Sequence, residues 1–227
     1  MKSYVYKFNL MAANVFSLII LVFMIFITII LGFEFDYNEL SIVFYVLMIF
    51  YFILHEILHG LGYIVGGANP KNIYYGIALE KGIFYTLARQ EVKKSAILIS
   101  LQMPFTIIGL ITYILGMIIN NQLLVLLSIA NIVGASMDLV MFFYIARIKN
   151  VRYSETDAND EFVLISKEDL TKKKSKFFNI KEVKDYKKED FIFKKSKRIE
   201  ITKISWIVLI IFALLLAISI LCNIMNW

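Results

Sequence analysis

The sequence holds 227 residues, of which 59% are hydrophobic and 19% charged, and it carries a formal net charge of +6. Soluble domains contain about 45–50% apolar and about 25% charged residues. Here the apolar excess is concentrated in long runs, so the composition excludes an ordinary soluble domain. The single cysteine, Cys222, excludes an intrachain disulfide and a cysteine-ligated metal site.

Long apolar runs predict the membrane-spanning helices, since a helix needs roughly 20 apolar residues to cross the hydrocarbon of a bilayer. The first run is longer than the core of a cleavable signal peptide and no small-residue cleavage site follows it, so we expect it to be retained. Pro104 predicts a local kink within the third run. In chain order, the five predicted spans are residues 10–33, 40–67, 95–119, 122–146 and 203–224.

The charges between these runs predict the orientation of the chain. The N-terminal tail is basic, the loop after the first run is acidic, and the loop after the second is basic. Residues 120–122 are neutral, and the segment after the fourth run is rich in lysine. Because basic connections stay in the cytoplasm, we expect a multi-pass protein of the cell membrane with its N-terminus in the cytoplasm and its C-terminus outside.

Two stretches are predicted to lie outside the membrane on the cytoplasmic side. Residues 71–90 are rich in β-branched and aromatic residues around Glu80-Lys81-Gly82, which predicts a short β-hairpin with Gly82 in its turn. Residues 150–202 form a small basic segment. The sequence thus predicts an all-α polytopic membrane protein with about five transmembrane helices. Residues 1–149 would form its core, 150–202 the basic segment and 203–227 the fifth helix.

The second run contains the only two histidines of the chain, His55 and His59, with Glu56 between them. Residues four apart lie on one face of a helix, so both imidazoles can reach one ion. Glu56 lies at the flank of that face, where it can take a proton from a zinc-activated water without ligating the metal. The alternative is a histidine pair that only packs between helices. A carboxylate within an apolar span is costly, however, and indicates a functional site.

Asp138 is the predicted third ligand, because a catalytic zinc site takes three protein ligands and it is the only other carboxylate within a predicted span. His55 lies about 15 residues, and Asp138 about 16 residues, from the outer ends of their spans, which at about 1.5 Å per residue places them at one level. The small residues 134–136 allow close helix approach. Pairing of Asp138 with a lysine or a backbone donor is the alternative. Asn131 is predicted to orient a ligand or the substrate carbonyl, or to make an interhelical hydrogen bond.

With these residues, the chain resembles an uncharacterised bacterial family of zincin membrane peptidases that carries a domain of unknown function and is similar to the site-2 intramembrane metalloproteases. The resemblance covers roughly residues 45–166. It implies His55 and His59 as metal ligands, Glu56 as the catalytic base, and Asp138 in the place of the site-2 aspartate ligand. Its matching stretches are His55–Gly60, Gly66–Pro70, Asn131–Leu139 and Tyr153–Phe162.

These features predict a zinc-dependent, membrane-embedded endopeptidase that hydrolyses peptide bonds of membrane-anchored proteins or peptides, with Zn²⁺ as its cofactor. One alternative is a non-catalytic zinc-binding membrane protein, such as a sensor or a transporter subunit. Another is a zinc hydrolase that acts on a lipid or a peptide antibiotic. Lysine-rich runs interleaved with phenylalanine, such as residues 172–178, predict contact with anionic lipid at the cytoplasmic face rather than with nucleic acid.

Overall fold

The computed structural model describes residues 1–34, 42–78, 83–156, 161–173 and 175–183. The fifth predicted span, residues 203–224, lies outside these described residues, as do residues 157–160, 174 and 184–202 of the basic segment. The division of the chain at residues 149 and 202 therefore stays a prediction.

Three of the described helical stretches are long and apolar enough to cross a membrane. Helix α1 spans Leu10–Ile30 and α2 spans Ile42–Val65. The third stretch begins as α3, Lys94–Pro104, continues as a π-helix over Phe105–Ile111 and ends as α4, Thr112–Ile118. Most of the large apolar side chains of α1 are exposed, as expected for a helix that faces lipid.

The fourth predicted span is broken into two helices. Helix α5 covers Gln122–Gly134 and α6 covers Ser136–Ala146, and the two are bent by 47° relative to each other. If this bent pair counts as one span, the described part of the chain has four candidate spans, and otherwise three. The break places Asp138 in the first turn of α6, where a carboxylate is favoured by the helix dipole.

The prediction of an all-α protein is wrong, because the described residues also form a five-stranded antiparallel sheet in the order β4-β5-β6-β1-β7. The physical reason is the tail KSYVYKF at the N-terminus, where alternation buries Tyr4 and Tyr6 completely. The tail had been interpreted only through its charges. The strands of this sheet are β1 Lys2–Phe8, β4 Val92–Lys93, β5 Arg152–Glu155, β6 Glu161–Ser166 and β7 Phe178–Val183.

An aromatic core holds the sheet against the end of α6. The ring of Tyr6 stacks on Phe162 at a centroid distance of 5.0 Å, and its hydroxyl lies 3.2 Å from the hydroxyl of Tyr144 in α6. Phe178 packs edge-on against Phe162 and Tyr144. These contacts hold β1, β6 and β7 against α6, and β5 pairs with β6 on the side away from β1.

The hairpin expected over residues 71–90 is present and packs on α2. Strand β2, Ile73–Ala78, pairs with β3, Ile83–Ala88, in antiparallel register, whereas the predicted turn residue Gly82 lies outside the described residues. The hydroxyl of Thr86 donates to the backbone carbonyl of Glu56 at 2.6 Å. Strand β3 is thereby held alongside the helix that carries the two histidines.

Glycines let α2 approach α3 closely. A Cβ on Gly62 would overlap the Cα of Ser100, and one on Gly66 would overlap the Cα of Ala96. The sequence also predicts close approach at residues 134–136; at Gly134 an added Cβ would meet its nearest neighbour, Phe52, at an ordinary contact distance of 3.9 Å. Small residues on α2 therefore bring the backbone of α3 next to His59.

Candidate metal centre

Three side-chain atoms from two helices converge on one point. Nε2 of His55 and Nε2 of His59 lie 3.0 Å apart, and Oδ2 of Asp138 lies 3.3 Å from the first and 3.4 Å from the second. Zinc bonds of about 2.0–2.1 Å in a tetrahedral site place neighbouring ligand atoms roughly 3.3 Å apart. The three atoms are thus spaced like three corners of a zinc tetrahedron, and they are the group of described residues able to hold a metal ion.

The hydrogen bonds on the far side of each imidazole determine where its proton lies. Nδ1 of His59 is 2.9 Å from the backbone carbonyl of Ser100, and because a carbonyl only accepts, Nδ1 must donate. Nδ1 of His55 is 2.8 Å from Oδ1 of Asn131, whose amide nitrogen donates to the carbonyl of Pro104 at 3.0 Å. The amide of Asn131 is therefore oriented with its oxygen towards His55. In a neutral imidazole bonded in this way Nε2 carries the lone pair, so both Nε2 atoms can bind an ion that lies between them and Asp138, as metal-ligating histidines do.

This arrangement fits a divalent cation. Two nitrogen lone pairs and a carboxylate oxygen within 3.4 Å of one another repel, unless a positive charge lies among them. Both histidines are buried and the side chain of Asp138 is 19% exposed, so water screens that repulsion only partly. A donor set of two imidazoles and one carboxylate is one that zinc uses in catalytic sites.

Pro104 explains why the carbonyl of Ser100 is available to His59. In an α-helix the carbonyl of residue 100 would accept the backbone N–H of residue 104, but proline has no N–H. The sequence analysis expected only a kink at Pro104, and the helix does change to π geometry at residue 105. Ser100 was not predicted. The signal for it was a proline four residues further along a predicted span.

Glu56 lies beside the three ligand atoms but is not one of them. Glu56 lines a cavity of about 310 Å³ together with His55, His59 and Asp138. Strand β3 forms another wall of this cavity through residues 84–87. The cavity thus leaves space for a ligand next to both the predicted metal ligands and the predicted base.

Glu155 is a cavity residue that the sequence analysis did not assign. Its carboxylate accepts the hydroxyl of Tyr63 at 2.6 Å and the backbone N–H of Ala88 at 2.7 Å. Burial raises the pKa of Glu155 to about 7. Tyr63 lies one turn beyond His59, so Glu155 joins the metal-binding helix to the edge of β3. Glu155 reaches this position because β5 pairs with β6, and no local sequence pattern predicts that pairing.

Comparison with known proteins agrees with the geometry. Residues 48–153 match the model of a family described as "Putative zincin peptidase". The match contains His55, Glu56, His59 and Asp138, and the predicted resemblance to a family of zincin peptidases is therefore confirmed over residues 48–153. No curated protein and no solved structure matches the chain.

Proposed function

Because residues 48–153 match a family of zincin peptidases, we propose that the protein is a zinc-dependent, membrane-embedded endopeptidase that cleaves membrane-anchored proteins or peptides. The observation that carries the proposal is the triangle of His55 Nε2, His59 Nε2 and Asp138 Oδ2, with sides of 3.0, 3.3 and 3.4 Å. In this proposal these three residues hold Zn²⁺ and Glu56 is the catalytic base.

The protein's own groups divide the reaction between them. A bound zinc ion supplies Lewis acidity, which polarises the scissile carbonyl and acidifies water. Glu56 takes the proton of the attacking water and returns it to the leaving nitrogen. Asn131 and the carbonyl of Ser100 hold the imidazoles in one tautomer throughout, so that only Glu56 exchanges protons with the substrate.

Strand β3 supports a way to hold the substrate extended. The N–H of Arg89 donates to the carbonyl of Asn72 on the inner side, and the N–H of Ala88 points outwards to Glu155. Since successive N–H groups alternate along a strand, the N–H of Thr86 also points outwards, at the cavity. An unwound substrate segment would add to this edge as a further strand and present its carbonyl to the metal centre.

The sheet supports the proposed placement in the membrane. Strand β1, at the N-terminus, pairs with β6 and β7, which follow the fourth predicted span. Strands of one sheet must lie on the same side of a bilayer. Together with the basic charge of these segments, this favours the cytoplasm for the sheet and for the N-terminus.

The test compares the full-length wild type with the variant Glu56→Gln, purified in detergent and assayed on a panel of single-span protein substrates. Both proteins are expected to bind zinc equally, and only the wild type is expected to cleave. Glu182→Gln, on β7 and paired with Lys2, is the matched control and should cleave like the wild type. Zinc binding without cleavage by the wild type would favour the non-catalytic alternative. Equal cleavage by the wild type and Glu56→Gln would contradict the role of Glu56 as the base.

A further inference from the structure

A second cavity, of about 630 Å³, lies between the end of α6 and the segment that precedes β7. None of its lining residues lines the cavity of the metal centre. One part of its wall is apolar, with Phe143 and Phe177, and the other part carries the cations Arg147, Lys173 and Lys176. We call it the basic groove. Its cationic part suits the headgroup of a lipid, and its apolar part suits an acyl chain.

The basic groove crosses the boundary at which α6 leaves the apolar phase. Phe143 is 57% exposed, and Arg147, one turn later, follows the last residue of α6. An exposed phenylalanine on a candidate span faces acyl chains, and an arginine at the end of such a helix lies at headgroup level. The groove therefore opens where lipid phosphates lie.

Hydrogen bonds hold the backbone that carries the lysines. The hydroxyl of Tyr144 donates to the carbonyl of Lys173 at 2.9 Å. The side-chain amide of Asn9 donates to the carbonyl of Lys176 at 3.1 Å, and its backbone N–H donates to the carbonyl of Phe177 at 2.8 Å. The cations thus project from a segment fixed to both α1 and α6, rather than from a free tail.

The charges in the groove leave two cations for a ligand. Glu168 offsets Lys173, since their side chains meet at 2.6 Å. Among the described residues, no acidic side chain pairs with Arg147 or Lys176. Carbonyls at the end of α6 would repel an anion, but Lys94 donates to the carbonyls of residues 146 and 148 at 2.7 Å each.

We propose that the basic groove binds an anionic phospholipid, with its phosphodiester between Arg147 and Lys176 and an acyl chain along Phe143. A free phosphate would use the cations but not the apolar wall. The headgroup would fix the end of α6, the helix that carries Asp138, at the membrane surface.

The test titrates the full-length protein in detergent with short-chain phosphatidylglycerol, with phosphatidylcholine and with inorganic phosphate, and counts bound molecules by native mass spectrometry. The variant Arg147→Gln with Lys176→Gln removes both cations. The control, Lys149→Gln with Lys172→Gln, removes the same charge from exposed lysines outside the groove. We expect phosphatidylglycerol to bind the wild type and the control alike and the groove variant roughly 30-fold more weakly, at one factor of about five per cation.

Equal loss in the groove variant and the control would overturn the proposal, because it would show diffuse attraction to surface charge. Binding of phosphatidylcholine, or of inorganic phosphate, as tight as that of phosphatidylglycerol would overturn it as well. The variant Arg147→Lys with Lys176→Arg keeps both charges and should keep binding within a few-fold. If the doubly neutral variant does not fold, Lys176→Gln alone should lose roughly fivefold.

Discussion

At the scale of single residues, the candidate metal centre depends on the hydrogen-bond partner of Nδ1 in each histidine. The carbonyl of Ser100 and the amide of Asn131 each accept an Nδ1 proton, which leaves both Nε2 atoms free for an ion. Such outer partners typically change metal affinity by 10–100-fold.

Asn131→Ala is expected to weaken zinc binding by about 10–100-fold. The substitution leaves Nδ1 of His55 and the carbonyl of Pro104 without their partner, so the imidazole is free to rotate. Competition with a fluorescent zinc chelator measures the affinity. Ser128→Ala is the control, because Ser128 is buried on the same helix and bonds to Thr112 instead. Unchanged affinity in Asn131→Ala would show that Asn131 only joins helices.

Pro104→Ala is expected to weaken zinc binding by up to about tenfold. The new backbone N–H competes with His59 for the carbonyl of Ser100, so the imidazole loses part of its orientation. The same competition with a fluorescent chelator measures the zinc affinity of this variant. The chain offers a matched control in its other proline, Pro70→Ala, at an exposed turn. Equal affinities in the two proline variants would contradict the role assigned to the missing N–H.

The residues of the candidate metal centre differ in how far the sequence predicts them. His55, Glu56, His59 and Asp138 stand out because each is a rare polar residue in an apolar span, and helical spacing and depth bring them level. Ser100 and Glu155 do not stand out, since serine is common in apolar helices and Glu155 lies among other acidic residues. Their roles arise from tertiary contacts. Ser100 packs against Gly62 of α2, and Glu155 accepts the N–H of Ala88 at the edge of β3.

At the scale of elements, Glu155 links three of them: β5, β3 and α2. Its carboxylate bridges the N–H of Ala88 and the hydroxyl of Tyr63. The pKa of Glu155 is raised from 4.5 to about 7, so the folded protein binds the proton more tightly than the unfolded chain. Between these two values the stability contributed by Glu155 falls as the pH rises.

The melting temperature of the zinc-loaded wild type is therefore expected to fall between about pH 5 and about pH 7 relative to that of Glu155→Gln, which cannot ionise. Zinc-linked effects of the histidines are common to both proteins and cancel in the difference. Differential scanning fluorimetry in detergent measures the two curves, and Glu182→Gln should keep the wild-type slope. Parallel curves for the wild type and Glu155→Gln would contradict the assigned shift.

Hydrophobicity predicts the positions of the long helices but not the break within the fourth predicted span. Apolar runs located α1, α2 and the α3–α4 stretch within a few residues, because burial in lipid requires only length and composition. The same runs did not reveal the break at Ala135 between α5 and α6. Residues on both sides of that break are equally apolar, so hydrophobicity alone does not predict the 47° bend.

At the scale of the whole molecule, the described chain is mixed rather than all-α. The sheet joins the first eight residues to strands that begin more than 140 residues later. The strands are short, and alternation in a seven-residue tail is a weak signal until its partners are known. The consequence is that β5, held by this sheet, brings Glu155 into the cavity of the candidate metal centre and to the N–H of Ala88 on β3.

The most direct test of the account is X-ray absorption at the zinc edge of the purified wild type, together with the metal content of Asp138→Ala. We predict one zinc per chain, with nitrogen and oxygen ligands at about 2.0–2.1 Å and no sulfur, and loss of zinc from Asp138→Ala. A wild type without zinc, or an Asp138→Ala variant that keeps it with the same ligand shell, would contradict the proposed centre.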